Sequence, residues 1–488
     1  MVYFGIALHL LGIVNPPLHL DRIIWSIFNI DGLPLYESSS INFWITMCKI
    51  FHLLAKYKPF IVSAHCSGSK PASAEIYLAD FVKELDELCE NGIMIGGERY
   101  EVRIKCSTCD RPAGSFVKCC RSHGGYYACE RCWVEGVNSM DRRVYPVRNS
   151  RPRTDESFNN LENVQHHNGI SPLTRLKKPI SLVFLSVFEF MHLGFLGITR
   201  NLVCDQWFAS ESKICQDNRT KVSMRLDNIS KYTPSEFRRT TRDLFDISKW
   251  TAKEFRLILL YIGPFVFKDV LYEDQYKHFL LLHVASRALC SRDMYEEFGS
   301  HAKLYLEGFA LFGEISYGLE FLSLTVHSLP HVVEDTVNMD CPVTDIDAFP
   351  FENEMRFIMK HVSSGYKPLA QLCTKVERDL EFNNEKVCIP PELQLLKSTE
   401  VDGVIHVKNL SYKSFKLSAK APNNFVFMKD RSLIWIKDFI CLSLNASPSQ
   451  IVIPGAKHKL FGSGYEFPTK SSHLGIHRVD GDDGAETI

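Results

Sequence analysis

Three sets of side chains in this 488-residue chain have types and spacings that suit metal or phosphate chemistry. The first set is acidic. Asp31 stands in Ile30-Asp31-Gly32 and Asp110 in Cys109-Asp110-Arg111-Pro112, each just past the end of an expected strand. Two carboxylates a few ångströms apart repel each other unless a divalent cation lies between them, and Mg2+, a hard ion that keeps several waters, suits such an oxygen site. Two such ions about 3.5–4 Å apart activate an attacking water and stabilise the leaving 3′ oxygen of a phosphodiester. Taken singly, an Asp beside Gly or Pro is an ordinary turn former, so it is the shared strand-end position that makes the pair informative. A third acid has to come from elsewhere. Phe351-Glu352-Asn353-Glu354 opens a helix after Asp347 and Pro350 and offers Glu352 or Glu354, either of which would equally favour the positive end of that helix.

The second set is sulfur and imidazole. Cys106-x-x-Cys109 and Cys129-x-x-Cys132 are separated by 19 residues, the pattern of a four-cysteine zinc ribbon. Cys129 and Cys132 combine as well with His327 and His331, spaced i, i+4, in which case Cys106 and Cys109 are core residues of the strand leading to Asp110. The third set is basic. Arg142, Arg143, Arg148, Arg151 and Arg153 sit among Pro, Asn and Ser in an expected exposed loop, suited to neutralising backbone phosphates or to lying in solvent. Arg238, Arg239 and Arg242 read as a solvated helix face.

The elements that must position these groups follow a simple order. Residues 23–30, 43–51 and 59–65 are apolar runs of strand length; Ile76, Phe81, Leu85 and Leu88 recur at helical spacing until Asn91-Gly92; and Tyr100–Cys106 alternates as a strand. The first 120 residues therefore read β-β-β-α-β. In a ribonuclease-H-like sheet the first and fourth of those strands are neighbours, which would bring Asp31 and Asp110 to one edge. Residues 175–325 read as mostly helical, with capping boxes at Thr233-Pro234-Ser235-Glu236 and Thr251-Ala252-Lys253-Glu254, each followed by helix. Residues 353–382 continue as helix with a break near Ser363-Ser364-Gly365, residues 403–455 alternate as a small β module, and an acidic tail follows. Met1–Val14 is apolar but lacks a basic start and a cleavage site, so an irregular or truncated N-terminus is expected. The apolar stretch Ile180–Thr199 carries Glu189 and His192, which fits a buried helix better than a membrane span.

Composition limits the alternatives. Hydrophobic residues are 45% and charged residues 23%, with 56 Lys and Arg against 57 Asp and Glu. That excludes a disordered chain and a global positive field, so a nucleic-acid partner would be held by local patches. The 16 cysteines are too dispersed for a disulfide miniprotein, and with two CxxC spacings they point to metal in a reducing compartment.

Several further segments carry a resemblance. Asn29-Ile30-Asp31-Gly32-Leu33-Pro34-Leu35, Cys109-Asp110-Arg111-Pro112-Ala113, Cys129-Glu130-Arg131-Cys132, His166-His167-x-Gly169-Ile170-Ser171-Pro172-Leu173, Met191-His192-Leu193, Val326-His327-Ser328-Leu329 and Phe349-Pro350-Phe351-Glu352-Asn353 occur in this order. Together they resemble the CACTA-type (En/Spm-like) transposases of animals over about residues 22–385. The resemblance implies an α/β fold: a ribonuclease-H-like DDE catalytic domain split by a long α-helical insertion, with a small C-terminal β module. Its implied parts are residues 1–140 (first part, with the Cys pair), 141–320 (Arg-rich loop and insertion), 321–400 (return, with the His pair and acid helix), 401–460 (β module) and 461–488 (disordered tail). It implies Asp31, Asp110 and Glu352 as ligands of catalytic Mg2+ or Mn2+, and Cys129, Cys132, His327 and His331 as a structural Zn2+ set. DNA (transposon ends and target) is the implied partner, with homo-oligomerisation and a nuclear location. Water would nick the element end and the freed 3′ hydroxyl would attack target DNA.

Three features depart from that pattern. Pro330 lies between the histidines, Glu189 replaces an Asp, and about 20 residues precede the first strand, where a complete transposase carries a DNA-binding region. Two other functions follow from the same residues: a host-adopted, catalytically silent scaffold that binds DNA or protein, and a small zinc-binding interaction protein.

Overall fold

The computed structural model describes residues 1–35, 41–208, 214–237, 239–362, 366–382, 387, 393–401, 404–412, 415–428, 432–441, 453, 455–458 and 460–479. Arg238 and the Ser363–Gly365 break lie outside the described residues. The fold is mixed α/β, in two compact units: residues 1–193, 289–295 and 310–389, and residues 194–288, 296–309 and 390–488.

The first unit is built on a sheet of β1 (Val2–Tyr3), β2 (Ile23–Pro34), β3 (Asn42–Phe51), β4 (Phe60–Ser67), β5 (Ile93–Ile95) and β6 (Glu98–Ser107), in the order β1-β4-β3-β2-β6-β5. β2, β3 and β4 are an antiparallel meander, and β6 runs parallel to β2. Both faces of this sheet are buried, which is why its strands read as near-continuous apolar runs. Alternation along β2 sorts the faces. Ile24, Phe28 and Ile30 pack with Tyr77, Leu78, Phe81 and Leu85 of α2 (Ala74–Asn91). Ile27 lies in the opposite core with Phe351, Met355 and Ile358 of the Phe349–His361 helix. Odd-numbered positions of β2 therefore face that helix, and Asp31 is one of them.

α2 starts where Ser73 accepts a hydrogen bond from the Glu75 amide and stops at Gly92. Gly92 has φ +69°, and a Cβ there would meet the Tyr100 carbonyl oxygen at 2.4 Å, so only glycine makes this turn.

The expected irregular N-terminus is instead part of the fold. β1 pairs with β4, and in α1 (Ala7–Ile13) and its flanks Ile6, Leu10 and Val14 are buried. The Glu84 carboxylate of α2 fixes them by accepting the Ile6 and Ala7 amides at 2.7 and 3.0 Å and the Tyr3 hydroxyl. The Ile180–Thr199 stretch is broken rather than one helix, into Leu182–Leu185 and a π-helix Met191–Thr199. Among the described residues no helix is long and apolar enough to cross a membrane.

In the second unit the Thr251 capping box forms and starts a helix, but Thr233 leads only into a 3-10 turn, Ser235–Phe237. Trp207, Phe267 and Phe279 pack edge to face in its helical core. Its C-terminal part is a small β domain of β9 (Leu393–Val401), β10 (Val404–Tyr412), β11 (Phe415–Ser418), β12 (Phe425–Phe427), β13 (Leu433–Ile436), β14 (Ile440–Cys441) and β15 (Gly455–His458) around Ile405, Val407, Leu410, Ile436 and Phe439. Ordered elements continue past residue 461, where a tail was expected: Leu460–Ser463 pairs with His477–Val479.

Candidate functional site

Asp31 lies within β2, not beyond it, because β3 is long enough to pair Asp31 with Ile45 and Pro34 with Asn42. The chain leaving β6 stays alongside. The Thr108 amide donates to the Phe28 carbonyl at 2.9 Å, Asn29 Nδ2 donates to the Thr108 carbonyl at 2.8 Å, and the Ile30 amide donates to Cys109 Sγ at 3.2 Å. The next residue is Asp110, so the pairing carries it to the neighbourhood of Asp31. Asp110 also caps the Arg111–Val117 helix (α3), its Oδ1 accepting the Ala113 amide at 2.8 Å.

Glu352 comes from the first turn of the helix that covers this face. Burial, then the charges of Asp110 and Glu352, push the Asp31 carboxyl up to about 7. Glu354, the other possible third acid, belongs elsewhere: burial raises its carboxyl, and its charged neighbours are Lys375, Asp379, Lys58 and His361. The structure thus brings Asp31, Asp110 and Glu352 into one electrostatic neighbourhood.

Two residues whose roles sequence reasoning missed complete this site. Glu189 is buried at 4% exposure, and its carboxylate accepts four donors: the Met191 and Ala348 amides at 2.8 and 2.9 Å through Oε1, and the His192 amide and Nδ1, both at 2.8 Å, through Oε2. It thereby fixes both His192 and the start of the Glu352 helix. Burial alone would lower the His192 imidazole, but the Glu189 hydrogen bond and the charges of Glu189, Asp31 and Glu352 raise it to about 9. His192 is therefore a cation facing the acids at neutral pH. The available signal was an acid and a histidine inside an otherwise apolar stretch.

The sulfur–imidazole set resolves to one of its two alternatives. Among the described residues, Cys129, Cys132, His327 and His331 form a group whose ligand atoms all lie within 4.8 Å of one another. Cys132 Sγ and His327 Nε2 are 3.2 Å apart, and His331 Nδ1 meets Glu334 Oε1 at 3.1 Å, the carboxylate support usual behind a metal-bound histidine. Pro330 is accommodated by a 3-10 turn, Leu329–His331, between two short helices, so both imidazoles still converge.

Burial opposes ionisation of Cys129, but Cys132, His327 and His331 hold its thiol well below the ordinary value, and the same thiolate with Glu334 raises His331 to about 9. Cys129 and burial push the Cys132 thiol up. Two soft sulfurs and two imidazoles in an apolar shell of Ala128, Val134, Tyr145 and Leu324 fit a closed structural metal site. The four-cysteine ribbon does not form. Cys106 is fully buried in the sheet core, and Cys109 is spent on the Ile30 amide.

The site is braced by buried charge. Arg131, between the two cysteines, donates to the Val183 and Ser186 carbonyls at 2.5 and 2.8 Å and to Asp335 Oδ1 at 2.5 Å. Lys118 pairs with Glu130, and Arg111 donates to Ser328 Oγ at 2.7 Å.

The expected basic loop is only partly exposed. Arg142 and Arg143 lie in a hairpin of β7 (Val137–Ser139) and β8 (Arg142–Val144), with Arg143 stacked 3.4 Å over the Tyr126 ring. Arg148 is exposed, while Arg151 pairs with Glu162 and stacks on Trp133. Arg153 is buried at 4% exposure and donates to the Cys129 carbonyl at 2.8 Å and the Tyr127 carbonyl at 3.3 Å. Those contacts commit it to the cysteine loop, which removes it from the expected phosphate ligands.

A family model described as Domain of unknown function (DUF8592) matches residues 394–487, which covers the C-terminal β domain. No curated protein matches the chain.

Proposed function

We propose that this chain is a transposase-like DNA strand-cleavage and strand-transfer protein with a ribonuclease-H-like DDE domain interrupted by a helical insertion. The observation that carries it is the convergence of Asp31, Asp110 and Glu352 from three separated segments, expressed as mutual charge at Asp31. Hard oxygen donors gathered so that burial and the charges of Asp110 and Glu352 disfavour the ionised form of Asp31 fit a divalent cation, Mg2+ or Mn2+. When bound, the ions supply water activation and charge neutralisation for in-line displacement at phosphorus.

The chain's own groups do the rest. Asp31, Asp110 and Glu352 are the ligands. His192, its Nδ1 tied to Glu189, presents a protonated Nε2 to an anionic oxygen of the substrate. Cys129, Cys132, His327 and His331 hold Zn2+ as a structural ion. Arg142 and Arg148 contact DNA backbone, and action on paired DNA ends as a homo-oligomer in the nucleus follows from the same reading.

A second reading is a catalytically silent scaffold descended from such an enzyme. A strand-nicking and joining assay with Mg2+ or Mn2+ on DNA carrying the matching element ends separates the two. Activity abolished by Asp31→Ala, Asp110→Ala or Glu352→Ala, and kept by Glu354→Ala, supports the enzyme. Wild-type inactivity with retained DNA binding supports the scaffold, and neither activity nor binding refutes both.

A further inference from the structure

We infer that the C-terminal β domain is a binding platform for single-stranded nucleic acid, reading unpaired bases by stacking and their phosphates by charge. The inference is independent of the acid site.

In a two-layer β domain, residues alternate between a core face and a solvent face, and the solvent face is normally polar. Here β12 and β13 turn Val426 and Ile436 toward the domain core. The opposite face carries aromatic residues instead. Phe425 pairs with Trp435 and Phe427 with Leu433, and β15 places His458 beside Leu433 on that same face. Phe425, Phe427 and Trp435 are 42%, 49% and 38% exposed, unusually high for three large rings on a single three-stranded sheet. The Phe425 and Trp435 rings lie nearly parallel, 18° between planes with centroids 6.2 Å apart, and His477 meets Phe427 at 5.8 Å. Exposed aromatic rings on one sheet face offer π surfaces on which bases can stack.

Charge selects the occupant. The chain as a whole is at −1, yet residues 394–487 hold twelve Lys and Arg against nine Asp and Glu, a formal +3. The near-neutral total therefore conceals a basic domain. Lys437 is exposed directly after β13, at the end where Phe425 meets Trp435, and Lys420 is exposed in the turn that leads to Asn423. A second copy of the domain would bring like net charge against like, which disfavours self-association. A duplex hides its base faces, so the rings have nothing to stack on there. An unpaired strand satisfies both features, and since every base has a π face the binding tolerates any sequence. Single-stranded DNA and RNA share this chemistry.

The test uses the full chain in fluorescence anisotropy with labelled oligothymidylate, oligouridylate and a duplex of about 16 units each. The expected result is tighter binding of one or both single strands than of the duplex. Trp435→Ala weakens that binding about 5- to 100-fold, Trp435→Phe retains most of it, and Lys437→Ala reduces the salt dependence by about one phosphate's worth. Glu354→Ala, outside both this face and the acid site, binds as wild type. Equal binding by Trp435→Ala, preference for duplex, binding of anionic lipid vesicles alone, or a dimer that Trp435→Ala dissolves would each overturn the inference.

Discussion

Replacing Asp31 with Asn should make the protein more stable at pH 8, and the size of the effect follows from the site. Burial and the charges of Asp110 and Glu352 raise the Asp31 carboxyl from 3.8 to about 7 in the folded protein. A carboxyl whose folded pKa is raised contributes stability that is fully present below its unfolded value and is lost as pH rises through the folded one. Across that window of about 3 units, near 1.4 kcal/mol each, the loss approaches 4 kcal/mol, and partial exposure of the side chain trims it to about 2–4 kcal/mol. At pH 8 without added Mg2+, Asp31→Asn removes that repulsion and raises Tm by about 5–10 °C for a unit of this size. Near pH 3 the gain vanishes, because the wild-type carboxyl is then largely protonated in both states. Added Mg2+ should recover stability in the wild type and add little to the variant. Differential scanning calorimetry over this pH range, with and without Mg2+, is the assay. A variant that is no more stable at pH 8, or whose gain does not shrink with acidification, refutes the electrostatic account of the acid site.

Two further outcomes follow. Zinc analysis should find one ion per chain, lost in Cys129→Ser and His331→Ala and kept in Cys106→Ser; because Cys132 and His327 are 195 positions apart, the chain-entropy contribution of that closure is about 5 kcal/mol, and thermal denaturation after chelation should fall accordingly. Burial lowers His166 to about 3, His278 to about 4 and His283 to about 3, so each stays neutral when folded but charges in the unfolded chain; stability is therefore lost as pH falls below about 6.5, by about 2 kcal/mol per group at pH 5, and a denaturant midpoint unchanged from pH 7 to pH 5 would contradict this.

The strands and helix that carry the acids were legible because their signals are local. The apolar runs of β2, β3, β4 and β6, and the Ser73 and Gly92 ends of α2, declare themselves within a few residues. What was not legible depended on distant partners. Asp31 looked like a turn residue because Asp-Gly usually is one, and only the length of β3 keeps it in the sheet. The N-terminal apolar segment had no visible partner until Glu84, 78 positions from Ile6, supplied the cap. Thr233 has the residues of a capping box but no apolar face behind it to stabilise a helix. The choice between Cys106–Cys109 and His327–His331 turned on which pair the sheet consumes, a question of topology rather than spacing. The aromatic face of β12 and β13 alternates like any strand, and its inverted polarity shows only once the core side is known.

These distant contacts also explain why the cysteine–histidine centre and the acids are one construction. Asp110 caps α3, and that helix is clamped at both ends to the cysteine–histidine centre: Arg111 reaches Ser328 on the histidine segment, and Lys118 at its C-cap pairs with Glu130 in the cysteine loop. From His331 the chain continues through the Val332–Met339 helix, where Asp335 binds Arg131 and accepts the Phe188 amide at 2.6 Å, and Lys105 of β6 donates to the Met339 carbonyl at 2.6 Å. Glu189, one residue after Phe188, then holds the Ala348 amide at the start of the Glu352 helix. The links through Arg131, Asp335 and Glu189 are buried, directional contacts, and leaving one of these unmade costs about 1–3 kcal/mol in desolvation alone, more for the charged members. A metal that joins Cys129 and Cys132 to His327 and His331 therefore fixes the relative placement of the segments presenting Asp110 and Glu352. The acids repel one another and supply no attraction of their own, so their convergence has to be imposed from outside. The cysteine–histidine centre and its buried ion pairs are the elements of this unit placed to impose it.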